Sequence, residues 1–269
     1  MPPILPNMPE RALIGMVHVG ALPGTPNAAA SVEQLAETAV SEALQLTRAG
    51  FDALIVENMH DAPYVHGHLL GPEITATMTR VLTAVIDAVS VPVGGQILSG
   101  GNRHSLAACH ATGGAFIRCE NFVFSHVADE GLLPEAEAGP LLRYRRSIGA
   151  EGVRVFCDIK KKHASHAITA DVSLADAAHA AQFFGSDGLI VTGTATGKAT
   201  SVHDVAEVRA ATDLPVLVGS GVTPESAAAL LEHADALIVG SSIKQGGVWS
   251  NPVDPGRAEH VVRAARASG

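Results

Sequence analysis

Eight short apolar runs, at residues 12–19, 53–56, 91–98, 115–118, 153–158, 188–192, 215–219 and 236–240, recur along the whole chain. They lack the polar alternation of a half-exposed strand, so each reads as a strand buried on both faces, the state of parallel strands covered by helices. Helical segments fill the gaps, and their starts are legible. Ser31 stands three residues before Gln34 as a capping box, and Val32, Leu35, Ala39, Ala43 and Leu46 then recur at helical spacing. Ile74, Met78, Val81, Leu82, Val85 and Val89 form a second stripe. Ser173 and Ser201 each precede an acid by three residues, and Thr223-Pro224 and Asp254-Pro255 put a cap before a proline at the first helical position. Eight strand–helix units with no break in composition predict a single (β/α)8 TIM barrel over residues 1–269, with residues 1–10 an irregular N-terminal extension. A doubly wound open sheet would begin with a glycine fingerprint after its first strand. Here that place holds His18-Val19-Gly20-Ala21-Leu22-Pro23-Gly24, which is not GxGxxG.

Charge and cysteine content narrow the partners. Lys and Arg number 18 against 27 Asp and Glu, a formal net charge of −9 that lacks the basic footprint of a nucleic-acid binder. No run of ~18 uncharged apolar residues offers an integral membrane segment. Cys109, Cys119 and Cys157 are odd in number and form no CxxC, which fits reduced thiols. With no basic n-region in MPPILPNMPE, the expected compartment is the cytoplasm. Barrels often dimerise, so a homo-oligomer is open and the sequence sets no subunit number. Histidine is the outlier, with 13 in a chain only 4% aromatic.

In such a barrel the chemistry sits in the loops at the C-terminal ends of the strands. Those ends are polar here: His18; Glu57, Asn58 and Asp61; Gln96; Arg118 and Glu120; Asp158 followed by Lys160, Lys161, Lys162 and His163; Thr192 and Thr196. Glu57, Glu120 and Asp158 would face one bowl, and crowded carboxylates push at least one pKa upward, toward general acid or base work near neutral pH. A salt-bridge network closing the mouth is the alternative for the same residues. The last two ends, Gly219-Ser220-Gly221 and Gly240-Ser241-Ser242, present small polar turns where this fold seats a phosphate. The segment Thr192-Gly193-Thr194-Ala195-Thr196-Gly197 lacks Walker A spacing, and no cofactor is expected. Eight histidines (His18, His60, His66, His68, His104, His126, His163 and His166) fall in strand-to-helix segments, but no HExxH or Cys/His cluster accompanies them, and no metal is expected.

The combination Gly15-Met16-Val17-His18, Leu22-Pro23-Gly24, the segment Val56-Glu57-Asn58-Met59-His60-Asp61-Ala62-Pro63-Tyr64, and Cys157-Asp158 with Lys162-His163 resembles the BtpA/SgcQ family. So do the stretches at residues 191–197, 218–224 and 238–244. The resemblance spans roughly residues 11–265 and implies a barrel of the ribulose-phosphate-binding type. The family takes its name from a factor affecting photosystem I accumulation, and other members look like enzymes of sugar or nucleoside catabolism. Met59-His60 stands where the family usually has an aromatic residue and glycine, and the lysine loop is denser than usual.

The expectation is therefore a barrel enzyme acting on a phosphorylated sugar or nucleoside-derived sugar, by glycosidic cleavage or isomerisation. Glu57, Asp158, Lys162 and His163 are the catalytic candidates. His18, Asn58, Asp61, Arg118, Glu120, Thr192 and Thr196 would touch substrate. Gly219, Ser220, Gly221, Gly240, Ser241 and Ser242 would hold phosphate. The alternative is a non-catalytic assembly or stability factor using the barrel as a platform, with an exposed apolar patch near Trp249.

Overall fold

A computed structural model of the chain describes residues 4–5, 8–193 and 200–267. Its elements run β1 (Ala12–His18), α1 (Val32–Ala49), β2 (Ala53–Glu57), α2 (Pro72–Ala88), β3 (Val93–Gln96), α3 (Asn102–Thr112), β4 (Phe116–Cys119), β5 (His126–Ala128), β6 (Gly131–Leu133) and α4 (Ala138–Ser147). They continue with β7 (Arg154–Ile159), β8 (Ala164–Ser165), α5 (Leu174–Phe183), β9 (Gly188–Val191), α6 (Val202–Ala211), β10 (Val216–Val218), α7 (Pro224–Leu230), β11 (Ala236–Val239) and α8 (Pro255–Arg266). Every predicted run holds one strand of a closed barrel in the order β1-β11-β10-β9-β7-β4-β3-β2, and the ladders are parallel. The TIM barrel expected from the sequence is thus the fold. Strands β5, β6 and β8 form a separate small antiparallel sheet from the loops after β4 and β7, which the sequence pattern did not announce.

The predicted caps mostly form. Ser31 accepts from the Gln34 amide and its own amide donates to the Gln34 side chain; Ser173 with Asp176 and Thr223 with Ser226 do the same. Asp254 accepts from the Arg257 amide. Ser201 starts α6 but makes no side-chain cap bond, so the predicted cap is absent there. The stripe Leu35, Ala39, Ala43 and Leu46 is buried against the barrel, as are Ile74, Met78, Val81, Leu82 and Val85, whereas Val89 lies just beyond α2.

Strand parity builds the interior. Met16, Ile55, Phe116, Phe156, Ile190, Leu217 and Ile238 point into the barrel, joined from the N-terminal extension by Ile4 and Leu5. The rings of Phe116 and Phe156, on the neighbouring strands β4 and β7, lie 5.3 Å apart. They fit because a Cβ on Gly94 would stand 2.4 Å from the Phe116 ring and one on Gly188 2.8 Å from Phe156. Full burial of each phenyl ring contributes about 1.5–3 kcal/mol. Two residues further along the same strands, on the same inward face, come His18, Glu57, Arg118 and Asp158. Apolar packing below therefore fixes a polar layer above. The three cysteines are free and buried, and burial pushes the thiols of Cys109 and Cys157 up to about 12. No helix among the described residues is long and apolar enough to cross a membrane.

Candidate active site

A cavity of about 680 Å³ opens over the C-terminal ends of the barrel strands. The parallel register sets His18 beside Glu57 and Glu57 beside Gln96. His18 Nε2 lies 3.7 Å from Glu57 Oε2, while its Nδ1 sits 2.9 Å from the main-chain oxygen of Trp249. Burial is the largest influence on both groups. It drives His18 down to about 3, helped by the Lys244 charge, and Glu57 up to about 7 against the opposing charge of Arg118. His18 is thus neutral, and Glu57 is poised to hold or release a proton near neutrality.

Across the mouth Arg118 grips Asp158, with Nε 3.1 Å from Oδ1 and Nη2 3.1 Å from Oδ2. Burial raises the Asp158 pKa and Arg118 opposes that shift. Glu120 is fixed from two sides, by Lys161 Nζ at 2.8 Å and the Gly100 amide at 2.8 Å. Burial pushes Glu120 upward, but the charge and hydrogen bond of Lys161 outweigh it and hold the carboxyl below its ordinary value. The three consecutive lysines have separate surroundings. Lys160, at a φ of 44°, lies off the main cavity; Lys161 is paired; Lys162 lines the cavity with its pKa lowered by burial and by Arg118. His163 follows at a φ of 57° and lines the same cavity.

The loops after β10 and β11 form the other end of the cavity, with Gly219, Ser220, Gly221, Gly240, Ser241 and Ser242 all on its wall. Gly221 adopts a φ of 64°, which favours glycine in this turn. A Cβ on Gly219 would stand 2.5 Å from Ile190 and 3.2 Å from Thr192, so the packing of this turn against β9 requires glycine here. The Ser242 hydroxyl is buried with no hydrogen-bond partner among the described residues, and Arg257 Nε donates to the Ser242 carbonyl at 2.8 Å.

Three of the predicted substrate contacts are absent from the wall of this cavity. Asn58 donates to Asp61 at 2.7 Å and to the Leu98 carbonyl at 3.3 Å, and accepts from the Leu98 amide at 2.7 Å. Asp61 accepts from the Leu22 amide at 2.8 Å. Together they brace the loops after β1, β2 and β3 to one another. Thr192 accepts from the Lys162 amide at 2.9 Å and fixes the lysine loop from behind. Thr196 lies outside the described residues. Of the eight histidines expected on this side, only His18 and His163 line the cavity among the described residues. His60 is bound to the Val19 carbonyl at 2.8 Å and packs on Trp249 with ring centroids 5.1 Å apart; His66 and His68 pack on each other at 5.5 Å. Among the described residues no three His, Cys, Asp or Glu side chains converge as a metal site would.

The cavity also holds Gln96 and Lys161, which stand among the polar strand ends with no site role expected of them, together with Tyr64, Ser99, and Asp129 with Glu130 from the turn between β5 and β6. Gln96 had a signal, its inward place at the end of β3. Asp129 and Glu130 had none, because a hairpin of three-residue strands leaves almost no periodicity to read.

The profile of the BtpA family matches residues 9–267, the motifs of the β1, β2, β7, β10 and β11 ends included. The chain belongs to the BtpA family. Among relatives of this BtpA-family chain, an uncharacterized mitochondrial protein of Caenorhabditis elegans is 43% identical over 96% of this chain and 94% of its own. The photosystem I biogenesis protein BtpA of Synechocystis is 31% identical over 94% of this chain and 87% of its own. Solved structures agree on the fold. N-(5'-phosphoribosyl)anthranilate isomerase from Pyrococcus furiosus superposes with a TM-score of 0.56 at 13% identity, over 96% of this chain and 99% of its own. Orotidine 5'-phosphate decarboxylase from Pyrococcus horikoshii gives 0.57 at 14% identity, over 94% and 99%.

Proposed function

We propose that this BtpA-family barrel is an enzyme of phosphorylated or nucleoside-derived sugars, working by acid–base chemistry. One observation carries the reading. Glu57, buried with its pKa raised to about 7, shares one cavity with the turns at Ser220 and Ser241 and with a buried, unpartnered Ser242 hydroxyl. In this reading the two glycine–serine turns bind the phosphate through main-chain amides and hydroxyls. Glu57 gives a proton to a departing group or takes one from carbon. Asp158, held by Arg118, stabilises positive charge developing at an anomeric carbon, and Lys162 and His163 orient the substrate and balance its charge. The fold neighbours named for phosphoribosyl and 5'-phosphate compounds support looking at this end of the barrel; the residues themselves carry the chemistry.

The test is a thermal-shift screen of sugar phosphates, nucleosides and nucleotides, followed by turnover of any ligand found. A ligand at a hundred times its Kd adds about 2.7 kcal/mol to stability, which is readily seen. Glu57→Gln and Asp158→Asn should each lower turnover by orders of magnitude with the fold intact, and near-full turnover in both would sink the proposal. A second reading, a non-catalytic assembly factor, is favoured by the name of the Synechocystis relative and by exposed Trp249 at the cavity wall with exposed Val248 next to it in sequence. It gains if no compound in the screen shifts the melting temperature.

A further inference from the structure

The cavity is electrically two-ended. One end holds the glycine–serine turns, with Arg257 beside them. The other is walled by Glu120, Asp129 and Glu130 together with Ser99 and Lys161. Lys161 pairs with Glu120 at 2.8 Å and also feels Glu130, and His163 feels Asp129, so three carboxylates at that end outnumber the one paired lysine. Ser99 donates its hydroxyl to Glu130, so the hairpin turn is tied to the loop after β3 with its carboxylates facing the mouth. At the end of β3, beside Glu57, sits Gln96, 2% exposed, whose Oε1 is buried without a hydrogen-bond partner among the described residues. An acceptor left unpaired in a buried site costs free energy that a donor from a ligand recovers. Carboxylates at Asp129 and Glu130 are also acceptors, and they repel a second anion.

We propose that the end opposite the phosphate seat selects a hydrogen-bond-donating, non-anionic group, so that the ligand is a sugar monophosphate carrying free hydroxyls or N–H groups and not a bisphosphate. The inference rests on the phosphate seat of the preceding reading and adds the identity of the other half of the ligand. Gln96 Oε1 accepts from one hydroxyl or N–H, and Asp129 and Glu130 accept from the others. A phosphate placed there would meet two carboxylates in a partly enclosed space, where the repulsion of like charges is weakly screened.

Calorimetric titration with inorganic phosphate, ribose 5-phosphate and ribose 1,5-bisphosphate tests it, in wild type and in the Asp129→Asn/Glu130→Gln double variant. Both substitutions sit on a surface hairpin and keep hydrogen-bonding side chains there, and circular dichroism checks that the fold persists. Wild type should bind the monophosphate about tenfold or more tightly than the bisphosphate, a difference of about 1.4 kcal/mol. The double variant should narrow that gap by strengthening bisphosphate binding, and Gln96→Leu should weaken the monophosphate while leaving inorganic phosphate unchanged. Equal affinities in wild type, or a gap unmoved by the double variant, would overturn the inference and leave the phosphate seat standing. Failure of all three compounds to bind would overturn the seat itself, and this inference with it.

Discussion

The imidazole Nδ1 of His18 lies 2.9 Å from the main-chain oxygen of Trp249, a contact that spans 231 residues of sequence. A carbonyl oxygen only accepts, so Nδ1 carries the hydrogen and Nε2 presents its lone pair toward Glu57. The loop after β11 thereby sets the tautomer of a side chain on β1. Neutral His18 beside a protonated Glu57 is the arrangement that burial favours for both groups.

That pair makes stability depend on pH in two opposed ways. His18 is lowered from 6.5 to about 3, so its contribution is complete above 6.5 and is lost as pH falls through 6.5 toward 3. Glu57 is raised from 4.5 to about 7, so its contribution is complete below 4.5 and is lost as pH rises through 7. Urea denaturation should therefore show Glu57→Gln gaining stability relative to wild type as pH rises from 4.5 to 7, by about 3 kcal/mol, because only the Glu57 contribution is removed and the opposing His18 contribution stays. Parallel curves for the two proteins from pH 4 to 8 would refute the burial argument.

Lys244 is fully buried, and its Nζ donates to Glu42 on α1 at 2.7 Å; the other Glu42 oxygen accepts from the Val253 amide at 3.0 Å. This clamp fastens the loop bearing Trp249 to the barrel wall. Lys244→Met should destabilise by about 3–5 kcal/mol, because it strands a buried carboxylate. Adding Glu42→Gln removes that charge and keeps an oxygen for Val253, so the double variant should recover part of the loss. A double variant no more stable than Lys244→Met would count against the clamp being electrostatic.

Asn58→Ala removes three hydrogen bonds at a side chain with 0% exposure. Unpaired partners such as the Leu98 amide cost about 1–3 kcal/mol each, so the midpoint of denaturation should drop sharply. A stable Asn58→Ala with only weaker ligand binding would instead return Asn58 to direct substrate contact.

Gly219→Ala places a methyl 2.5 Å from Ile190 and 3.2 Å from Thr192. Overpacking of this kind costs about 1–3 kcal/mol. Relieving the Ile190 clash must move the Gly219 turn, which forms part of the phosphate seat, so phosphate affinity should fall along with the melting temperature. Unchanged affinity for inorganic phosphate, measured by calorimetry, would separate Gly219 from the seat.

The sequence by itself determined the barrel and the polar ends of its strands. Uninterrupted apolar runs can be satisfied only by strands covered on both faces, and strand parity carries His18, Glu57, Arg118 and Asp158 inward wherever Met16, Ile55, Phe116 and Phe156 point inward. Caps such as Ser31 and Thr223 are local, involving residues three apart, and so they were legible too. Only the tertiary structure decided which polar residues face a ligand. Asn58, Asp61 and Thr192 were drawn into bracing neighbouring loops, while Asp129, Glu130 and Trp249 came to the mouth from segments with no periodicity. The physical reason is range. Periodicity orders side chains along one element, whereas a hydrogen bond between loops, such as that of His18 with Trp249, depends on where two distant chain segments meet after the barrel closes.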